Sequence, residues 1–184
     1  MNNLAELLGA IAGDGHIDYC RRYGSTTHYK LVFSGNFTED LDYYKKIRRF
    51  IYKLFQKRFC FYKQRKNELT ARIYSKELVT YLINKGAIHG SKARKIDFPN
   101  WLGKEEKLHF IRGLFDTDGS LTFKRKDNNI AHNYPIITLT LKSKKMISET
   151  SSVLRKNKFY LCTCYYEKAY DRRKGKNYER HTLY

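Results

Sequence analysis

Two aspartates, Asp14 and Asp118, stand at the eighth position of two copies of one nine-residue pattern, and a glycine ends each copy. The copies are residues 7–15 (LLGAIAGDG) and residues 111–119 (IRGLFDTDG), and the second acid comes 104 positions after the first. Two carboxylates brought close together repel each other unless one takes up a proton or a cation sits between them. A divalent ion that prefers oxygen ligands, such as Mg²⁺, meets that need with carboxylates, carbonyls and water. The repeated pattern therefore indicates a cation site with two acids.

Apolar residues at helical spacing precede each acid, so each acid is expected at the C-terminal end of a helix. The first helix is predicted to have about 12 residues, with Gly15 as a left-handed C-cap. Gly9 and Gly13 lie four residues apart on one helix face, as do Gly113 and Thr117, and small residues at this spacing let two helix backbones approach closely. Parallel packing would bring both acids to one end, where the helix macrodipole is negative and disfavours them. A cation between the acids would relieve this conflict.

Two other interpretations of the acids were weighed. Either copy alone is compatible with an ordinary turn acid before glycine, but the duplication and the shared small residues favour a functional site. An EF-hand calcium loop is excluded, because Leu114 stands at its first ligand position and Arg125 at the position of its bidentate acid.

The elements around the two patterns follow one order, which is helix, hairpin, helix, hairpin, helix. In the first repeat, strands are predicted within residues 16–34 and 59–74, and helices are predicted after Thr38, as an N-cap, and over residues 78–85. The second repeat has a helix capped by Ser143 and strands that end at Tyr184. It lacks the counterpart of helix 78–85, so we expect that the protein either ends early or has a trimmed C-terminus.

The domain boundaries follow from this repeat and from a break in periodicity. We predict a first unit over residues 1–86, a linker over residues 87–105 and a second unit over residues 106–184. The linker contains Pro99, Gly103 and the basic cluster at residues 92–95, and Trp101 is expected to anchor it on the core.

Charge is the strongest compositional signal. The 37 Lys and Arg residues outnumber the 18 Asp and Glu residues, which gives a formal net charge of +19. Such a balance favours a polyanionic partner, and the 16 Tyr and 11 Phe residues interleaved with the basic ones favour nucleic acid. A basic ribosomal-type protein or a solvated thermophile surface are the alternatives.

Other classes are excluded or disfavoured. No apolar run approaches the roughly 18–20 residues of a membrane span, and no charged, cleavable leader is visible. We therefore predict a soluble, intracellular protein, in the cytoplasm of a prokaryote or in an organelle. The four cysteines form no zinc pattern and are interpreted as half-buried strand residues in a reducing compartment.

Both nine-residue copies, together with the order of elements behind them, resemble the LAGLIDADG homing endonucleases of the two-motif, single-chain type. The resemblance implies an α/β (α+β) fold of duplicated αββαββα units with pseudo-twofold symmetry. It places the motif helices at the central interface and two antiparallel sheets as a saddle over DNA. It also implies a monomer that binds double-stranded DNA with a long, asymmetric target site.

The resemblance carries metal-binding and catalytic roles to this chain by position. The eighth motif residues, Asp14 and Asp118, would bind Mg²⁺ or another divalent cation such as Mn²⁺ at the scissile phosphates. Gly13 and Thr117 would add backbone carbonyls. Lys76 is the best match for the family's basic residue, and Asn36 for its amide. Asp116, at a motif position that the family does not use for metal, is expected to be structural.

The basic residue of the second site has no clear match. Lys124 and Lys142 are possible stand-ins, because the counterpart of Lys76 would fall beyond Tyr184.

The faces of the two sheets are expected to contact DNA, since Arg and Lys can read guanine and Gln can read adenine. The predicted contact residues are the polar or aromatic positions opposite the apolar face of each strand: Arg22, His28, Lys30, Ser34, Tyr62, Gln64, Thr70, Arg72, Lys124, Lys126, Thr138 and Thr140.

The function that follows is site-specific, metal-dependent cleavage of double-stranded DNA by phosphodiester hydrolysis. Because Met1 and Tyr184 do not supply the residues of a self-splicing intein, a free-standing, intron-encoded homing endonuclease is favoured. The alternative is an RNA maturase that assists intron splicing and binds nucleic acid without cutting DNA. A basic structural RNA-binding protein would leave the duplicated motif unexplained.

Overall fold

The computed structural model of the protein describes residues 1–21, 27–63, 67–125, 131–161, 164–171 and 176–184. The first half contains α1 (Asn2–Ala12), β1 (Gly15–Arg21), β2 (Thr27–Asn36), α2 (Phe37–Phe55), β3 (Cys60–Lys63), β4 (Glu68–Tyr74) and α3 (Lys76–Asn84). The second half contains α4 (Lys104–Asp118), β5 (Gly119–Lys124), β6 (Tyr134–Leu141), α5 (Lys144–Lys156), β7 (Cys164–Asp171) and β8 (Lys176–Leu183). The duplicated order of helices and strands is thereby confirmed.

Within the described residues, eight strands form two antiparallel four-stranded sheets with the same topology. The first sheet has the order β1-β2-β4-β3 and the second has the order β5-β6-β8-β7. In each sheet a motif helix leads directly into an edge strand, since Gly15 pairs with Phe33 and Gly119 pairs with Leu139. The predicted mixed α/β class with two antiparallel sheets is confirmed.

Contacts divide the chain into two compact units whose bounds differ from the predicted ones. The first unit comprises Met1–Lys92 and Phe98–Thr117, and the second comprises Ala93–Asp97 and Asp118–Tyr184. The difference arises because α4 packs against α1 and so belongs to the first unit up to its penultimate residue. The boundaries at 86 and 106, which follow the sequence repeat, stay a prediction about the duplication itself.

Three local predictions are corrected. Gly15 is not a left-handed cap, because α1 ends at Gly13, with φ at −75°, and Gly15 already pairs in β1. Thr38 is not the N-cap of α2, because the side chain of Asn36 accepts hydrogen bonds from the amides of Thr38 and Glu39. Cys60 is a free thiol and is exposed in β3, although half-buried cysteines were expected.

The core of the first unit lies between its sheet and its helices. Ile17 and Leu31 are cross-strand partners, and both are buried. The short helix α3 packs against β2 and buries Leu78 and Leu82. Ser75 caps this helix by accepting from the amide of Leu78, which fixes where the helix leaves the sheet.

The core of the second unit is formed by α5 and one face of the second sheet. Leu139 and Leu141 on β6 are buried together with Met146 and Ile147 on α5. Ser143 caps α5, as predicted, by accepting from the amide of Met146 at 3.2 Å. None of the helices in the described ranges is long and apolar enough to cross a lipid bilayer.

Candidate nuclease site and DNA interface

The two motif helices touch through their glycines. A Cβ at Gly9 would lie 1.9 Å from the carbonyl oxygen of Phe110, and a Cβ at Gly113 would lie 2.1 Å from the carbonyl oxygen of Glu6. These two contacts are equivalent under the 104-residue repeat, because Phe110 corresponds to Glu6 and Gly113 to Gly9. No side chain larger than hydrogen fits at either position. The glycines therefore set the close approach of α1 and α4.

The two helices run in the same direction. The side-chain amide of Asn2, at the start of α1, donates to the carboxylate of Glu105, at the start of α4, at 3.0 Å. Because the N-terminal ends meet and the central glycines meet, Gly13 and Thr117 lie at the same end of the pair. Asp14 follows Gly13 in the chain, and Asp118 follows Thr117 and opens the second unit. That the two acids share one site stays a prediction.

The C-terminal end of α1 binds the ammonium group of a lysine side chain, that of Lys92. The ammonium group of Lys92 donates to the carbonyl oxygens of Ile11 and Gly15, at 2.5 Å each, and to the carbonyl oxygen of Gly13. An ammonium group has three N–H donors, so these three bonds use all of them. Positive charge at this position offsets the negative end of the helix macrodipole. The end of α1 is thus a cradle of carbonyl oxygens that accepts a cation.

A buried tyrosine of α2, Tyr44, lies beside this helix end. The hydroxyl of Tyr44, which is 1% exposed, donates to the carbonyl oxygen of Ser34 at 3.0 Å. Burial and then the charge of Asp14 raise the pKa of the Tyr44 hydroxyl, to which Asp14 is also hydrogen-bonded. Tyr44 therefore stays neutral beside the exposed carboxylate of Asp14.

Asp116 takes part in an ion-pair cluster rather than in the cradle. Its carboxylate lies 3.5 Å from the ammonium group of Lys46, which also pairs with the buried carboxylate of Glu6. Burial, followed by the charges of Asp116 and Glu6, raises the pKa of the neighbouring Tyr43 hydroxyl. The cluster joins α1, α2 and α4, which agrees with the structural role expected for Asp116.

The two other predicted catalytic residues lie in different settings. The side-chain oxygen of Asn36 accepts from the amides of Thr38 and Glu39 and from the side chain of Asn67 at 2.9 Å, so it is engaged in capping α2. Lys76 is exposed at the start of α3, with its ammonium group 6.0 Å from the centre of the Tyr29 ring.

Lys76 is distant from the end of α1. Its ring partner Tyr29 lies four residues along β2 from Phe33, which pairs with Gly15, and that interval is about 13 Å of strand. The structure does not bring Lys76 to the end of α1, where the ammonium group of Lys92 is bound, and a catalytic role for Lys76 stays a prediction. The sequence had assigned Lys92 only to a basic cluster in the linker.

Comparison with known proteins agrees with this geometry. The sequence matches the family of LAGLIDADG-like domains over residues 105–184. Residues 105–184 form a LAGLIDADG-like domain. The predicted resemblance is thereby confirmed for the part of the chain that begins with α4. No curated protein matches the sequence significantly.

The fold of nearly the whole chain is similar to solved structures of homing endonucleases. One is I-DmoI in complex with DNA and Mn, which has 19% identity and a TM-score of 0.64 over 99% of this chain and 88% of that one. Another is I-SmaMI bound to uncleaved DNA target in the presence of calcium ions, with 12% identity and a TM-score of 0.58 over 98% and 79% of the two chains. At these identities the likeness shows the LAGLIDADG fold.

In the first unit of this LAGLIDADG fold, the described contact residues share the sheet face that points away from the core. Cross-strand register aligns Ser34 with Thr70 and Tyr62, and Lys30 with Tyr74. His28, Ser34 and Tyr62 are exposed, whereas Thr70 is only 7% exposed. The common face is the one that was predicted to contact DNA.

Two cations on this face differ in how they are held. Lys30 pairs with Asp18 at 3.0 Å, and the hydrogen bond from Lys30 is the main reason that the pKa of Asp18 is lowered. The Arg72 guanidinium lies between the rings of Tyr62 and Tyr74, 5.8 and 6.0 Å from their centres. Within the described part of the chain, the buried Nε of Arg72 has no acceptor. The two rings therefore orient the Arg72 guanidinium, while the hydrogen-bonding capacity of its Nε is not used by the described residues.

In the LAGLIDADG-like domain, the predicted contact residues also share one face. Thr138 pairs with Ser120, and Lys124 pairs with Tyr134, which places Lys124, Thr138 and Thr140 opposite the buried Leu139. Lys124 and Thr140 are exposed. Arg22, Gln64 and Lys126 lie outside the described residues.

The donor atoms at the motif ends suit a hard divalent cation. The carbonyl of Gly13 already faces a positive charge, and the carboxylate of Asp14 is exposed next to it. In the described ranges, no group of three or more His, Cys, Asp and Glu side chains could hold a metal. A cation at this helix end would thus rely on few carboxylates, with carbonyl oxygens and water as the remaining ligands, which is how Mg²⁺ is commonly bound.

Proposed function

We propose that this protein is a site-specific, metal-dependent endonuclease that hydrolyses one phosphodiester bond in each strand of double-stranded DNA. The observation that carries the proposal is the pair of parallel helices packed through Gly9 and Gly113, each of which leads to a motif aspartate. The LAGLIDADG-like domain, the fold shared with I-DmoI and the net charge of +19 support it. An intron-encoded, monomeric homing endonuclease is the form we favour.

Asp14 and Asp118 are the proposed metal-binding acids, one for each DNA strand, and the carbonyls of Gly13 and Thr117 are the proposed additional ligands. Divalent-cation chemistry at such a site activates a water molecule and stabilises the leaving 3′ oxygen. I-DmoI has been solved with DNA and Mn and with DNA and Ca. For this chain we propose Mg²⁺ or Mn²⁺.

Lys92 is the proposed basic residue of the first site. Since all three of its N–H donors are bonded to carbonyl oxygens at the end of α1, it supplies positive charge rather than accepting a proton. That charge lies where negative charge develops if a phosphate binds next to Asp14. Tyr44 places a neutral hydroxyl beside Asp14.

The sheet faces are the proposed DNA interface. Arg72, aligned by two tyrosine rings and half-buried on the face predicted to contact DNA, is the best-supported contact of the first unit. An Arg side chain held flat in this way can make the paired hydrogen bonds that read guanine or hold a phosphate. In the second sheet, Lys124 on β5 and Thr140 on β6 are the proposed contacts, on the face opposite the buried Leu139.

The test of this function is cleavage of a DNA library that contains the gene's own intron-minus insertion site. We expect a double-strand break at one position with Mg²⁺, and none when EDTA removes the metal. Binding of DNA should persist when Ca²⁺, in excess over EDTA, replaces Mg²⁺ as the control ion. Failure to cut with Mg²⁺, together with tight binding of the intron RNA, would overturn the nuclease and favour the maturase.

A further inference from the structure

A basic cavity lies in the second unit, on the side of the sheet opposite the proposed DNA-contacting face. Its volume is about 540 Å³, and it is lined by Arg94, Lys142, Ser143, Lys144, Lys145, Tyr166, Glu179 and His181. Cavities that hold nucleotide-sized ligands have volumes of about 300–1,000 Å³. The cavity is therefore large enough for more than a single small ion.

The side of the sheet follows from the strand register. His181 on β8 pairs with Leu141 on β6 and so shares the face of the buried Leu139 and Leu141, which α5 covers. Thr140 and its partner Thr182 point to the other face, which carries the proposed DNA contacts. A ligand in the cavity would not compete for the same surface.

The N-terminus of α5 forms one wall of the cavity. Ser143 caps the helix and donates to the carbonyl oxygen of Ile96 at 2.9 Å, so this helix end is fixed. The first turn contains no acidic residue and instead has Lys144 and Lys145. The positive end of the macrodipole and the amides of the first turn favour an anion there, and adjacent lysines add to that preference.

The buried side chain of His181 also indicates a ligand in the cavity, independently of the N-terminus of α5. The residue is 8% exposed and lines the cavity. Its one described contact is with the ring of Tyr166, whose centre lies 5.2 Å away, and no residue in the described ranges forms a hydrogen bond with the imidazole. A buried imidazole whose polar atoms have no protein partner is expected to find one in a ligand or in water.

The charges that line the cavity are mostly positive but not exclusively so. Lys145 is paired with Asp97 and lies 3.9 Å from Glu149, so its charge is largely compensated. Glu179 accepts from the Tyr166 hydroxyl at 3.0 Å and is exposed at the rim. Arg94 and Lys144 remain as exposed cations of the lining without a described acidic partner. The excess charge favours an anion with several acceptor oxygens.

We propose that this cavity binds the phosphate group of a nucleotide-sized ligand, with the first turn of α5, Lys144, Arg94 and the His181 imidazole as donors. Phosphate has enough acceptor oxygens for charge-assisted hydrogen bonds with all of these groups. The phosphate belongs either to a free nucleotide or to a nucleic-acid backbone that passes along the face of the second sheet opposite the proposed DNA contacts.

The test is a titration of the full-length protein with inorganic phosphate and with AMP, followed by the NMR signals of the His181 ring. These signals are assigned by their loss in His181→Phe. We expect saturable shifts with AMP at millimolar concentration or below. Lys144→Gln should weaken binding about tenfold, the effect of losing one charge-assisted hydrogen bond. Lys156→Gln, at the other end of α5, removes the same charge and should leave AMP binding unchanged.

A second arm identifies the source of the phosphate. The same signals are followed with a single-stranded oligonucleotide of arbitrary sequence. If the oligonucleotide binds with higher affinity than AMP, and Lys144→Gln lowers that affinity, the phosphate belongs to a nucleic-acid backbone. Shifts with AMP alone indicate a free nucleotide. The proposal is overturned if no probe shifts the His181 signals, or if Lys144→Gln and Lys156→Gln weaken binding equally.

Discussion

The two halves of this protein are alike where their motif helices touch and different in the burial of the apolar faces of their sheets. At the helix contact, Gly9 meets the backbone of Phe110 and Gly113 meets the backbone of Glu6, so each half repeats the other. On the apolar face, Ile17 and Leu31 of the first sheet are 1% and 0% exposed, whereas Leu121 and Ile137 of the second are 58% and 59% exposed.

Helices pack against the first sheet at this place. In the first unit α3 and α2 both contact β2, the strand that carries Leu31. In the second unit the cross-strand pair Leu121 and Ile137 occupies the equivalent place and is exposed. The comparison teaches that a repeat in sequence preserves the strands and the register, while the burial of those strands depends on what packs behind them.

A second difference lies at the ends of the motif helices. The end of α1 receives the ammonium group of Lys92 on three carbonyls. Near the end of α4, the hydroxyl of Thr117 donates to the carbonyl oxygens of Gly113 and Leu114, at 3.1 Å each. A helix end closed by its own side chain and one closed by a distant lysine are expected to respond differently to mutation.

The largest predicted change in stability tests the glycine contacts between α1 and α4, which the two halves share. Gly9→Ala and Gly113→Ala should each lower the free energy of unfolding by about 3 kcal/mol or more, because the new Cβ meets fixed backbone rather than a movable side chain. Urea denaturation measures the loss. Gly103→Ala is the control, since its Cβ would meet only the end of the Glu106 side chain. Equal, small losses at Gly9 and Gly103 would contradict the close helix contact.

The next effect tests the part in which the halves differ. Leu31→Ala should lower the free energy of unfolding by about 3 kcal/mol, because it leaves a cavity in a packed core. Leu121→Ala removes the same atoms from an exposed position, and its effect should stay within about 0.5 kcal/mol. The same urea experiment compares the two. Similar losses would mean that the second sheet is also covered.

The third effect concerns the helix ends and is measured as a rate. Lys92→Met should slow DNA cleavage about 100-fold, near 2.7 kcal/mol of barrier, because it removes a fixed positive charge beside Asp14. DNA binding, measured by anisotropy, should change little. Lys95→Met, in the same segment, and Lys76→Met, the lysine that the sequence favoured, serve as matched controls. A large loss for Lys76→Met with none for Lys92→Met would restore the assignment made from sequence.

Much of the fold was predictable because its signals are local. The repeat around Asp14 and Asp118, the strands with alternating apolar residues and the cap at Ser143 all depend on neighbours in sequence. The errors arose where two nearby residues compete, as Asn36 and Thr38 do for the first turn of α2. The local pattern identified a capping type, but only the backbone path decides which side chain reaches the amides.

The sequence pattern marks the proposed acids of the site but not the proposed Lys92. The motif glycines and aspartates repeat, which makes them visible in one sequence. Lys92 contacts Gly13 across 79 positions and stands among other basic residues in a segment without periodicity, so no local pattern marks it. The exposure of Leu121 was equally hidden, since its strand alternates just as the buried strand of Ile17 does.

The most direct test of the account is cleavage of the target DNA with Mg²⁺ by Asp14→Asn, Asp118→Asn and Asp116→Asn. The first two remove the carboxylate charge that the proposed metal site needs, whereas Asp116 lies in the ion pair with Lys46. We predict that Asp14→Asn and Asp118→Asn each abolish double-strand cleavage while DNA binding is retained, and that Asp116→Asn still cuts. Cleavage of both strands at the normal rate by either of the first two variants would contradict the assignment of the motif acids.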